Sequence, residues 1–122
     1  MLEVEPISFN YVQDEPKVVA DMDIKQLTEE MHRFVRSKGW YTEKSQRPQT
    51  PRNLAISLAL EAAEILEHFQ WTEEIKDKEE LSSELADVAL YLLQLASISE
   101  IDLEKAILDK IEVNQTREWD QE

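Results

Sequence analysis

The sequence contains no cysteine and a single glycine in 122 residues. Without Cys there is no disulfide framework, no thiolate zinc site and no cysteine nucleophile. Gly39 stands alone, so the glycine-rich phosphate cradles GxGxxG and GxxxxGK(S/T) cannot be built. A fold of tight hairpins is disfavoured for the same reason. There are two histidines, His32 and His68, too few for a three-histidine zinc site in one chain. Positive charge is scarce: 13 Lys and Arg stand against 27 Asp and Glu, a formal charge of −14. General attraction to nucleic acid or to an anionic membrane surface is therefore not expected, and a phosphate compound would need metal cations as the bridge. No uninterrupted apolar run reaches the ~18 residues that span a bilayer. The opening MLEVEPISFNYVQDEP lacks the basic and apolar stretches of a secretory signal, so a cytoplasmic protein is expected.

What is present reads as one soluble, mainly helical domain, with 42% apolar and 33% charged residues. Residues 1–20 show no helical period and carry Pro6 and Pro16. Ile7, Phe9, Tyr11 and Val12 suit an extended arm lying on the domain or on a partner subunit, the alternative being a frayed tail. The domain itself is expected over residues 21–122. A first helix is expected from Asp21 or Asp23, either able to cap it, to Gly39, a natural helix terminator. Ile24, Leu27, Met31, Phe34 and Val35 supply its 3.6-residue period. Trp40 to Gln49 reads as a loop. Thr50-Pro51 opens a second helix that runs to about Phe69. Asp77 with Glu80 resembles a capping box for a third, reaching about Ser99. Asp102 caps a fourth that ends near Arg117. The expected fold is an all-α, antiparallel four-helix bundle in which helices 2 and 3 form a hairpin, their connection being too short for a crossover.

Four acids stand apart from the solvated majority. Glu61 and Glu64 lie within the apolar run LALEAAEILEHF, and Glu84 and Asp87 within ELADVALYLLQL. Each pair is spaced i, i+3 and shares a helix face. In an antiparallel hairpin Glu64 faces Glu84 and Glu61 faces Asp87, across roughly 8–10 Å between helix axes. Crowded carboxylates in a partly dry site take up protons or are neutralised by a cation. All-oxygen donors suit Mg²⁺, or Mn²⁺ in its place, rather than zinc.

The pattern Glu61-x-x-Glu64, 19 residues, Glu84-x-x-Asp87 resembles the metal signature of the MazG-like all-α nucleotide pyrophosphohydrolases. With Arg52-Asn53-Leu54 before it and Phe69-Gln70-Trp71 after it, the string is most similar to the dCTP pyrophosphatase branch, over roughly residues 24–117. The resemblance implies Mg²⁺-dependent hydrolysis of a nucleoside triphosphate, a dNTP such as dCTP, to the monophosphate and pyrophosphate. Pool cleaning is the role it suggests. It implies a homodimer or homotetramer, with Glu61, Glu64, Glu84 and Asp87 as ion ligands. His32, Trp40 and Trp71 would line the base pocket, Tyr91 would lie near the sugar, and Lys110 and Asn114 would sit on the phosphate side. The loop from Trp40 to Gln49 departs from the family pattern. Within the acidic cluster, Glu61 is the choice for general base, because it lies between the ion site and the start of helix 2. His68, at i+4 from Glu64, is expected at the helix end.

Two other readings are open to the residues. A di-iron carboxylate bundle needs Glu-x-x-His twice, and here each i+3 place is acidic. A non-enzymatic acidic helical module that binds a partner leaves the inward carboxylates unexplained. Helices 2 and 3 are apolar around most of their girth, through Ile56, Leu60 and Leu66 on one and Leu90, Leu93 and Ala96 on the other. Such helices need cover on more than one side, which also points to a homo-oligomer.

Overall fold

The computed structural model describes residues 21–119. The expected arm over residues 1–20 lies outside them. The described residues form four helices and no strand: α1 (Ile24–Ser37), α2 (Pro51–Glu67), α3 (Lys78–Ile98) and α4 (Leu103–Thr116).

Every helix begins where a short polar side chain supplies the acceptor that first-turn N–H groups lack within the helix. Asp23 accepts from the Gln26 N–H while the Gln26 side chain accepts from the Asp23 N–H, a reciprocal capping box. Thr50 accepts from the Asn53 N–H ahead of Pro51. Asp77 accepts from Glu80 and Asp102 from Lys105.

Two helices end alike. After α1, Gly39 donates to the Arg36 carbonyl and Trp40 to the Val35 carbonyl, with Gly39 at φ 74°. After α3, Glu100 donates to Ser97 and Ile101 to Ala96, with Glu100 at φ 60°. Both are Schellman closures. The second places a side chain in left-handed backbone, which costs on the order of 1 kcal/mol.

α2 and α3 form the expected hairpin, the largest helix contact in the chain, and α1 packs on α3. The fourth helix behaves differently from a bundle member. Among the described helices α3 is its one substantial partner, and none of its residues is buried. A core shared by all four helices is therefore not closed within one chain. It is centred on α1–α3, because α4 fully buries none of its side chains. The fully enclosed apolar side chains among the described residues are Met31, Val35, Leu54 and Ala96. Leu60 and Leu66 on α2 are 62% and 71% exposed. By length and composition alone α3 could cross a membrane, but Glu84 and Asp87 fall inside it, and acids at membrane depth are costly.

Candidate active site

A groove of about 500 Å³ opens between α1, the loop that follows it, the start of α2 and the middle of α3. Its size is that of a small-molecule site. Phe34, Trp40 and Tyr91 give it aromatic walls. Phe34 meets Trp40 edge-on with ring centroids 5.7 Å apart, and the Arg47 guanidinium lies 5.4 Å from the Trp40 centroid. That pairing fixes the Trp40 ring through quadrupole and cation–π attraction. Trp40 falls here because the Schellman turn at Gly39 folds the chain back over α1.

The groove reaches Ser57 on α2 and Asp87 on α3. Glu61 follows Ser57 by one turn on the same face, so the aromatic recess leads into the acidic part of the hairpin. Glu61, Glu84 and Asp87 are half-buried and Glu64 is exposed. Burial first, and then the negative charges of Glu64, Asp87 and Glu84, push the Glu61 carboxyl above its ordinary pKa. Glu61 therefore feels Glu64 on its own helix and Glu84 and Asp87 across the hairpin.

An all-oxygen donor set of this charge fits a hard divalent cation. The carboxylates are neighbours rather than a closed shell: among the described residues no three Asp, Glu or His side chains are drawn together closely enough to hold one ion. Glu84 is also engaged elsewhere. His68, the C-cap of α2, donates from Nε2 to Glu84 Oε1 at 2.7 Å.

A chain of side-chain hydrogen bonds borders the other end of the groove. Gln49 donates to the Arg47 carbonyl at 2.6 Å and accepts from Gln94 Nε2 at 2.7 Å. Gln94 Nε2 also donates to the Tyr41 hydroxyl at 3.2 Å. That hydroxyl lies 2.6 Å from His32 Nδ1, and His32 Nε2 lies 2.7 Å from Ser97 Oγ.

Trp40, Tyr91 and Asp87 thus stand together at the groove, with Glu61 one turn beyond. His32 does not join them. Met31, Phe34 and Val35 share the face of α1 that lines the groove. His32 lies off that face, its two ring nitrogens are engaged by Tyr41 and Ser97, and it borders a separate depression beside Ser97 and Asp102. Trp71 is 88% exposed in the α2–α3 connection and lines neither depression. Lys110 is exposed on α4. Asn114 accepts from Arg117 through its side chain and from Trp119 Nε1 through its carbonyl. Neither lines the groove, because α4 runs clear of it. Sequence reasoning missed Gln49, Arg47 and Gln94. Arg47 and Gln49 sit in a loop with no period to read. Gln94 left one signal, an amide inside the apolar string LYLLQLA.

Residues 56–122 match the family model described as the MazG-like family. Over a 76-residue alignment the chain is 36% identical to dCTP pyrophosphatase 1 of Rattus norvegicus, covering 55% of this chain and 45% of that one. The same figures hold for dCTP pyrophosphatase 1 of Homo sapiens. The match thus spans less than half the length of these curated relatives. The crystal structure of a pyrophosphatase from Archaeoglobus fulgidus DSM 4304 superposes with a TM-score of 0.65 at 34% identity, covering 81% of this chain and 95% of that one.

Proposed function

The chain belongs to the MazG-like family, and on that footing we propose that it hydrolyses a nucleoside triphosphate to the monophosphate and pyrophosphate. The observation that carries this reading is the continuity of one groove, with aromatic rings at one end and Asp87 of the acidic hairpin at the other. A nucleotide has the same polarity, a flat apolar base joined through a sugar to a polyanion. The names of the relatives, dCTP pyrophosphatase and pyrophosphatase, agree with it.

Each end has a task its residues suit. Trp40, Phe34 and Tyr91 hold the base and sugar by stacking and edge contacts, worth about 1–3 kcal/mol per stacked base. Glu61, Glu64, Glu84 and Asp87 would hold a divalent cation, Mg²⁺ or Mn²⁺, which supplies charge neutralisation on the triphosphate when bound. Glu61 takes the proton of the attacking water. Breaking the α–β anhydride then releases pyrophosphate. Trp71, Lys110 and Asn114 lie outside the groove of their own chain. We assign them to the groove of a neighbouring copy in a homodimer or homotetramer joined through α2 and α3, whose open leucines need such cover.

A panel of canonical and modified dNTPs with Mg²⁺, read for pyrophosphate and orthophosphate separately, tests the reading. Pyrophosphate as the first product is expected. Orthophosphate first, or no turnover across the panel, contradicts it.

A further inference from the structure

We infer that Gln94 sets the base preference of the groove, its Oε1 accepting a hydrogen bond from an amino group on the edge of the nucleobase. The inference rests on the nucleotide reading above and names the chemistry its base-binding end selects.

Gln94 is 3% exposed, the one polar residue fully enclosed among the described residues, and it lines the groove between Tyr91 and Gln49. Its amide orientation is determined from outside. The Gln49 amide nitrogen donates to a backbone carbonyl, that of Arg47, which can only accept. Gln49 therefore turns its Oε1 toward Gln94, and Gln94 must answer with Nε2. The second N–H of that nitrogen goes to the Tyr41 hydroxyl oxygen. The Tyr41 hydroxyl also pairs with His32 Nδ1, and His32 Nε2 pairs with Ser97 Oγ. With both N–H groups engaged, Gln94 offers the groove its carbonyl oxygen alone. Among the described residues that oxygen accepts no hydrogen bond. A buried acceptor without a donor is costly and favours a ligand that supplies one.

Bases differ in what they bring. Cytosine and adenine carry an exocyclic amino group where uracil and hypoxanthine carry an oxygen. The amino group completes the Gln94 acceptor. An oxo group sets two lone-pair-bearing oxygens against each other. Sites built on a ligand hydrogen bond reject the analogue lacking it strongly, because their own polar group is left unpaired. The groove therefore selects 4-amino or 6-amino bases over their oxo counterparts, and the chain from Arg47 to Ser97 enforces the choice by denying Gln94 the opposite orientation.

The test uses the full chain with Mg²⁺ and two matched pairs, dCTP against dUTP and dATP against dITP, with kcat/KM from pyrophosphate release. The wild type should prefer the amino member of each pair it turns over by at least about tenfold. Gln94→Met should bring the two members within about threefold of each other, whereas a merely structural loss lowers both equally and keeps the ratio. Gln49→Leu retains Gln94 but removes the acceptor that orients its amide, so the oxo member should gain relative to the amino one. This second variant carries the test if Gln94→Met does not fold. Equal wild-type rates within each pair, or an unchanged ratio in the folded variants, would overturn the role of Gln94 and leave the pyrophosphohydrolase reading standing. Absence of pyrophosphate from every nucleotide would overturn both.

Discussion

His68 and Glu84 join the two arms of the central hairpin: the imidazole Nε2 donates to the carboxylate Oε1 at 2.7 Å, with the side chains 12% and 15% exposed. One oxygen of Glu84 is tethered, and the other would remain for the proposed cation. Hydrogen bonds to metal-ligating groups are commonly worth about 10–100-fold in metal affinity. His68→Leu should therefore weaken Mn²⁺ binding at least tenfold, while His68→Gln, whose amide nitrogen can stand near the place of Nε2, should remain close to the wild type. Free Mn²⁺ followed by electron paramagnetic resonance during titration gives both constants. A leucine variant with wild-type affinity would remove the tether from the site.

Glu61 carries the opposite kind of burden. Burial and three neighbouring carboxylates disfavour its charge. A carboxyl whose folded pKa lies above its unfolded one loses stability as pH rises past the unfolded value near 4.5. At pH 7 without divalent ions, Glu61→Gln should therefore melt higher than the wild type. With Mg²⁺ and a nucleotide it should be inactive. Thermal circular dichroism and pyrophosphate release check the two halves separately. A lower melting temperature in the ion-free variant would mean that Glu61 is not under repulsive strain.

His32 gives a pH signature of its own. Burial, and secondarily the Arg36 guanidinium, hold its imidazole below the ordinary value of 6.5. The unfolded chain thus binds a proton near pH 6.5 that the folded chain accepts only at lower pH. The stability this contributes is complete above about 6.5 and is lost as pH falls from there toward the folded pKa. His32→Gln should lower the melting temperature at pH 7, by breaking contacts with Tyr41 and Ser97, yet flatten its decline between pH 7 and 5. Parallel declines in variant and wild type would contradict a neutral His32.

The parts legible in the sequence are those that local chemistry decides. Asp23, Thr50-Pro51, Asp77 and Asp102 announce helix starts because a cap acts on an N–H three residues away. Gly39 marks an end for a similarly local reason. The approach of Glu61 to Glu84 and Asp87 follows from two helix periods and one short connection. The groove was harder to read. Its polar border joins Gln94 to Tyr41 and to Gln49 across more than forty residues of chain, and no spacing rule reaches that far. The resemblance gives His32 to the base pocket, whereas the period of α1 sets it off the face of Met31 and Val35, beside a separate depression. Trp71, Lys110 and Asn114 lie outside the groove because single-chain geometry does not bring the α2–α3 connection or α4 to it.

Glu100 offers a test of backbone strain. It occupies at φ 60° the same place in its Schellman closure that Gly39 occupies at φ 74°. Glu100→Gly should stabilise the chain by about 0.5–1 kcal/mol, relief of the left-handed penalty less the added freedom of the unfolded chain. Gly39→Ala should destabilise by a similar amount, although a Cβ there would meet nothing within 4 Å. Urea midpoints of the two variants, moving in opposite directions, would establish that conformation rather than crowding governs both positions.

Only Met31, Val35, Leu54 and Ala96 are enclosed apolar side chains among the described residues, and α4 hides none. For the proposed assembly, dilution then acts as a denaturant. The midpoint of unfolding becomes a function of protomer concentration, and refolding acquires a second-order step. Newly made chains would remain poorly protected until they meet one another, so cellular abundance would govern how long each survives.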